Sequence, residues 1–286
     1  LGRPLRWLFF AAVILYVAVP MIAVLLYSFS ARWTSRIVPD AYTLDNWATA
    51  LTEPRMQAAL WRTVWMGLLV LLLVVLLVVP AVYWQRVRNP KIRVAAELAA
   101  AIPFVLPFVV IAFGILRLMG RTLPEVFEIT WTVHLLGTPL IILLSHAAIA
   151  FPFLYWAVDG SMAAANVVKL NEAAATCGAT PFQTVRHVVF PNISAGLAAG
   201  GMLVFATSFG EFALVQILAG SRFENVSLYS LNLLQNTTSQ VEILAVLTVI
   251  TFVVLFAISV AVVLLNRGRT GALFPGARAM AAEKDA

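Results

Sequence analysis

Residues 61–84 form a Leu- and Val-rich run with a tryptophan at each edge, Trp61 and Trp84. A helix rises about 1.5 Å per residue, so roughly 20 apolar residues cross a hydrocarbon core about 30 Å thick. Tryptophan favours the membrane–water interface, so the pair marks the two edges of a span. Five further stretches reach a comparable length, at 7–29, 95–119, 135–158, 193–218 and 243–265. Composition agrees: 62% of the 286 residues are hydrophobic and 11% are charged. Soluble domains are about a quarter charged, and one core of this size could not hide so much apolar surface. The expected fold class is therefore an all-α membrane protein of six transmembrane helices. Pro103, Pro107, Pro139 and Pro152 predict kinks in the third and fourth spans.

The first apolar run exceeds the 7–15 residues of a signal-peptide core, so it reads as an uncleaved anchor. The chain begins at Leu1 and not Met, so a short preceding piece is expected. Six spans put both ends on one side. That side collects twelve Lys and Arg residues, from Arg3 and Arg6 through Lys169 and Arg186 to Arg267, Arg269, Arg278 and Lys284. Arg86, Arg88, Lys91 and Arg93 fall there within eight positions. The opposite side collects seven: Arg32, Arg36, Arg55, Arg62, Arg117, Arg121 and Arg222. Basic residues favour the cytoplasmic side, so both termini are expected there. The net charge of +6 reads as basic loops beside anionic lipid; no stacking motif accompanies it, so nucleic acid is not an expected partner.

The longest connection on the basic side is 159–191. Asn171 is placed to cap a helix starting Glu172-Ala173-Ala174-Ala175, Gly178 to end it, and Thr180-Pro181-Phe182-Gln183 to open a second. Pro191 marks the start of the fifth span. The expectation is two short helices joined by a glycine elbow outside the membrane. Cys177, the single cysteine, is expected to be a small packing residue.

Glu172-Ala173-Ala174, then three residues, Gly178, nine residues and Val188-Val189-Phe190-Pro191 resembles the signature of permease subunits of binding-protein-dependent ABC importers. Val188 and Phe190 depart from that pattern, in place of Ile and Leu, and both stay apolar. The resemblance implies a type I importer permease (MetI-like) fold, with a core at 60–265. Residues 1–59 add the first helix and an external segment, and 266–286 form a loosely ordered cytoplasmic tail. It also implies the partners: an ABC ATPase dimer docking on the 159–191 loop, a second permease subunit, an extracytoplasmic solute-binding protein, and the lipid of a bacterial inner membrane. The ATPase-coupling residues would be Glu172, Ala173, Ala174, Gly178 and Pro191, with Glu172 oriented by the positive end of its helix. A sister chain is favoured over a second copy as the other half of the pore.

None of the three lysines, Lys91, Lys169 and Lys284, follows a glycine, so no phosphate-cradling P-loop is present. ATP and magnesium are expected on the partner ATPase, with no cofactor and no catalytic site on this chain. No metal-ligand spacing occurs among His, Cys and carboxylates, His134 and His187 included.

Ser208-Phe209-Gly210-Glu211-Phe212, followed by Ala219-Gly220, is similar to a stretch in permeases for polyamines, ferric iron and phosphonates. The segment from Ile102-Pro103 to Pro107 resembles their third span. Glu211, about 28 Å along the fifth span, reads as an outer gate or solute contact, or as a carboxylate held by neighbouring helices. Ser208 accompanies it. His146 either lines the pathway or hydrogen-bonds between helices. A secondary transporter is the runner-up reading, and an intramembrane enzyme the third; the second needs mid-membrane charges and paired interrupted spans, which are scarce here.

Overall fold

A computed structural model describes residues 3–33, 37–235 and 240–265. Arg36 and the tail at 266–286, with its four basic residues, lie outside the described residues, as do the side chains of Arg3 and Arg6. In chain order the elements begin with α1 (Arg3–Ser28), a short hairpin of β1 (Ser30–Arg32) and β2 (Ala41–Tyr42), α2 (Asp45–Thr52) and α3 (Pro54–Val87). After a 3-10 turn at Pro90–Ile92 come α4 (Arg93–Val105), α5 (Phe108–Arg117), a π-turn at Leu118–Thr122, α6 (Leu123–Phe127) and a 3-10 turn at Thr130–Leu135. The rest is α7 (Pro139–Ala164), α8 (Val167–Thr176), α9 (Pro181–Thr184), a π-turn at Val185–Val189, α10 (Phe190–Gly210), α11 (Ala213–Leu218), a 3-10 turn at Gly220–Phe223, α12 (Val226–Gln235) and α13 (Val241–Leu265).

Five of these helical runs are long and apolar enough to cross a membrane, or six if the bent pair α4–α5 is one span. The third span is not a single kinked helix. Its two halves meet at 100°. Pro107 explains the break: a proline pushes the preceding residue out of the helical region. Leu106 accordingly sits at φ −96°, ψ 130° and ends α4. Pro139, expected to kink the fourth span, instead occupies the first turn of α7, where its missing N–H costs nothing.

The residues divide into two compact units, Leu1–Trp61 with Val226–Ala257, and Arg62–Asn225 with Ile258–Ala286. In the first, Ala50, Met56 and Ala59 pack with Val226, Tyr229, Leu233, Val246 and Leu247. The end of α1 is stitched in by Asn46, whose Nδ2 donates to Ser28 O at 3.3 Å and Ser30 O at 2.8 Å. Further back, α1 exposes Trp7 and Ile14 on one face and Tyr16 on the opposite one, the mark of a helix whose solvent is lipid or another chain.

In the second unit α7 and α10 make the most extensive helix pair. Two glycines four residues apart, Gly196 and Gly200, allow it. A Cβ at Gly196 would lie 2.6 Å from Ala157 O, and one at Gly200 would lie 2.7 Å from Ala157 Cβ. Lipid tails are as apolar as Leu, so membrane helices associate by close backbone approach, and small residues at this spacing permit it.

Candidate functional site

The 159–191 connection grows out of the end of α7. Ala165 and Asn166 donate back to Ser161 O and Ala163 O, each at 3.0 Å. Asn166 then turns left-handed at φ 53°. Asn tolerates that conformation better than most residues, so α8 restarts at once. This corrects the expected start. The helix begins at Val167, not after Asn171, and Asn171 is no cap. Asn171 sits mid-helix, where its Oδ1 accepts from Tyr83 Oη at 2.6 Å. Glu172 is consequently the sixth of ten residues, beyond the first turn where the helix dipole would orient a carboxylate. Glu172 and Ala173 are exposed, and Ala174 is half-buried.

Gly178 ends α8 as expected, and the reason is visible in its bonds. At φ 76° it occupies the left-handed position that glycine adopts without strain. Its N–H donates to Ala175 O at 2.9 Å, and the next N–H, of Ala179, donates to Ala174 O at 3.0 Å. That pair of bonds is a Schellman motif. Ala174 and Gly178 are thus two parts of one cap. Cys177 beside it is exposed, not packed.

Thr180 opens the next helix with a full capping box. Gln183 N donates to Thr180 Oγ1 at 3.3 Å, and Thr180 N donates to Gln183 Oε1 at 2.8 Å. The expected second short helix does not stop. From Pro181 it runs through the π-turn at Val185–Val189 directly into α10. Pro191 is therefore inside this continuous run rather than at its start. Its ring would meet the carbonyl four residues back in a regular helix, and the widened turn immediately before it relieves that clash. Phe182, 71% exposed, projects from the first turn.

At the far end of α10 three polar residues gather. His146 of α7 and Ser208 of α10, both buried, are joined by a hydrogen bond of 2.9 Å between Nδ1 and Oγ. His146 thus bonds between helices, as one of its two readings expects. Glu211 is also buried. The fifth span was expected to run unbroken over 193–218, but it breaks at Glu211, whose backbone turns extended at ψ 128°. The Glu211 carboxylate accepts from Leu214 N at 2.9 Å and so caps α11. Asn225 Nδ2 donates to Glu211 O at 2.7 Å. Pro191 and Glu211 bracket α10, about 30 Å apart by helical rise.

A bidentate ion pair that the sequence analysis does not anticipate joins α3 to α7. Arg86 of α3 holds Asp159 of α7 through two parallel bonds, Nε to Oδ1 and Nη2 to Oδ2, each 2.6 Å. The available signal was an aspartate near the end of an otherwise uncharged apolar helix.

Known proteins resemble this chain in sequence and in fold. The family described as "Binding-protein-dependent transport system inner membrane component" matches residues 77–271, which include the whole 159–191 connection and the break at Glu211. Molybdenum transport system permease protein ModB of Mycobacterium tuberculosis is 28% identical over 226 residues, 76% of this chain and 78% of that protein. Spermidine/putrescine transport system permease protein PotB of Haemophilus influenzae is 23% identical over 219 residues, 74% of this chain and 76% of that protein. A crystal structure of a bacterial ABC transporter involved in the import of the acidic polysaccharide alginate has the same fold, with a TM-score of 0.65 over 92% of this chain and 97% of that one, at 14% identity. This chain belongs to the family of binding-protein-dependent transport system inner membrane components, and is a permease component of an ABC importer.

Proposed function

We propose that this chain forms half of an ATP-driven translocation pathway and couples to a separate ATPase dimer through α8, the Gly178 elbow and α9. The observation that carries this reading is the double cap between the two helices. A Schellman turn and a capping box leave the elbow little freedom while Glu172, Ala173 and Phe182 stay exposed. A lever must be both stiff and accessible, and this element is both. ATP and magnesium bind the partner, whose closure moves the elbow and switches the pathway between two facings.

In this reading 159–191 and both termini face the cytoplasm, supported by the twelve-to-seven excess of Lys and Arg on that side. Residues 60–265 make the core and 266–286 a cytoplasmic tail. A second permease, a sister chain rather than a copy, completes the pore about a pseudo-twofold axis. An external binding protein delivers the solute. His146, Ser208 and Glu211 act as the hinge of an outer gate, supported by the helix break that Glu211 makes and caps. The solute is small and polar. The 208–212 stretch and the PotB relatives favour a polyamine, and the ModB relatives add molybdenum as the comparison solute.

The test is purification of the tagged chain from native membranes, with identification of bound proteins and uptake of spermidine and molybdate in cells. A P-loop ATPase and a second permease are expected to accompany it. Glu172→Ala combined with Gly178→Asp is expected to insert normally, lose the ATPase and reduce uptake to background. Wild-type uptake by that variant sinks the coupling assignment. A chain that purifies alone and transports without ATP after reconstitution is a secondary transporter.

A further inference from the structure

The C-terminal turns of α3 reach two other elements at once. Tyr83 and Arg86 stand three residues apart, so they share one face of the helix. Tyr83 donates to Asn171 at the middle of α8, and Arg86 grips Asp159 near the end of α7. Between them Gln85 Oε1 accepts from Tyr155 Oη at 3.0 Å, one turn before Asp159 on α7. Arg93 adds a weaker contact, Nη2 to Asp159 Oδ2 at 3.9 Å. The Asp159 side chain is 9% exposed and that of Arg86 16%.

A half-buried ion pair is a poor source of net stability, because desolvation offsets most of the attraction. What a bidentate pair supplies is fixed geometry. Here it fixes α7 to α3 just before the two-residue turn, Ala165 and Asn166, that leads into α8. The Tyr83 bond then fixes α8 itself. Along the chain, α8 leads back through Asn166 and Ala165 into α7, and forward through Gly178, α9 and the Val185–Val189 turn, against which it also packs, into α10. Side chains add a sideways route into α3 and a second hold on α7.

We propose that Tyr83–Asn171 and Arg86–Asp159 form a clamp that makes α8 and the ends of α3 and α7 move as one body, so that displacement of α8 by the ATPase reaches α3 as well as α7 and α10, the two spans the chain itself joins to α8. Tyr83 and Arg86 are positioning residues in this scheme. It rests on the reading of α8 as the ATPase-docking element.

The experiment uses the transporter purified intact through a tag on this chain and placed in lipid nanodiscs. Deuterium uptake is followed in peptides covering 83–88, 155–162 and 167–177, without nucleotide and with ATP trapped by vanadate. In the wild type all three regions should respond to nucleotide. Tyr83→Phe removes one hydroxyl and little volume. Its α8 peptide should keep responding, while the response at 83–88 falls about 2- to 10-fold, the weight of one hydrogen bond. Asp159→Arg should lose the response at 83–88 and weaken it at 155–162, and Arg86→Asp combined with Asp159→Arg should restore both, which a purely structural role would not predict. If Asp159→Arg fails to insert, Tyr83→Phe alone decides. Wild-type responses at 83–88 in these variants overturn the clamp, because displacement of α8 then reaches α3 without it. Absence of any α8 response in the wild type, with the ATPase lost from the same sample, overturns the docking reading and the clamp with it. Absence of that response with the ATPase retained overturns the clamp and leaves docking standing.

Discussion

The two ends of α10 are built in different ways. At the Pro191 end, the elbow is held by bonds between near neighbours: Ala179 to Ala174, Gly178 to Ala175, and Thr180 with Gln183 in both directions. At the Glu211 end, the bonds reach further, to Leu214 three residues on, Asn225 fourteen on, and His146 sixty-two residues before Ser208. The first end is exposed and the second buried. Local caps can stiffen a segment that has nothing packed over it, because each cap satisfies the orphan groups of a helix terminus by itself. A helix break inside the protein cannot rely on water, so each freed group there needs a partner from another segment.

Substitutions at three positions sharpen or break that contrast. The largest effect should come from the helix between the ends. Gly200→Leu puts its Cβ against Ala157 and Leu154 of α7, where even a methyl group would come within 2.7 Å. Overpacking of this kind costs about 1–3 kcal/mol or more, so thermal unfolding in detergent should occur at a clearly lower temperature. The Glu211 end, which depends on α7 through His146, should lose amide protection before the elbow does. Simultaneous loss at both ends would show that the elbow also depends on tertiary support.

Next in size is Glu211→Ala. It strips the side-chain acceptor from Leu214 N, a cap worth about 1 kcal/mol. Amide exchange across 213–218 should accelerate, and exchange in α8 and α9 should stay unchanged. Glu211→Gln keeps an oxygen for Leu214 and should behave close to wild type. If Glu211→Ala leaves α11 fully protected, its carboxylate is not what holds the break.

The smallest effect is expected for Thr180→Ala. The bond it removes is long, 3.3 Å, and exposed, and the reciprocal bond from Thr180 N to Gln183 remains. The loss should sit near the low end of the capping range, about 0.5 kcal/mol. Faster exchange confined to Gln183 and its neighbours would fit. An effect reaching Glu211 would contradict the local character of this end.

The same contrast explains what could be read from the chain. The turn at Gly178 and the capping box at 180–183 were legible because every participating residue lies within one short window. Six apolar runs were legible because lipid demands a length and a composition. Asn171 was misread as a cap because its real partner, Tyr83, is 88 residues away. The fifth span was misread as starting at Pro191 and running unbroken to 218. The π-turn carries the helix on through Pro191, and Glu211 ends it inside an apolar run long enough to read as one span.

By itself, then, the sequence determined that the chain is a helical membrane protein with a capped elbow between two of its spans. Capping acts within a turn or two and span length within one unbroken run of about 20 residues, so both are written in contiguous stretches of the chain. Only the tertiary structure decided which polar residues meet. Arg86 and Asp159, Tyr83 and Asn171, and His146 and Ser208 lie 62 to 88 positions apart, and each pair meets only where packed helices bring it together. Inside a membrane protein a buried polar group must find such a partner, and close helix approach at Gly196 and Gly200 is part of what brings the partners within reach.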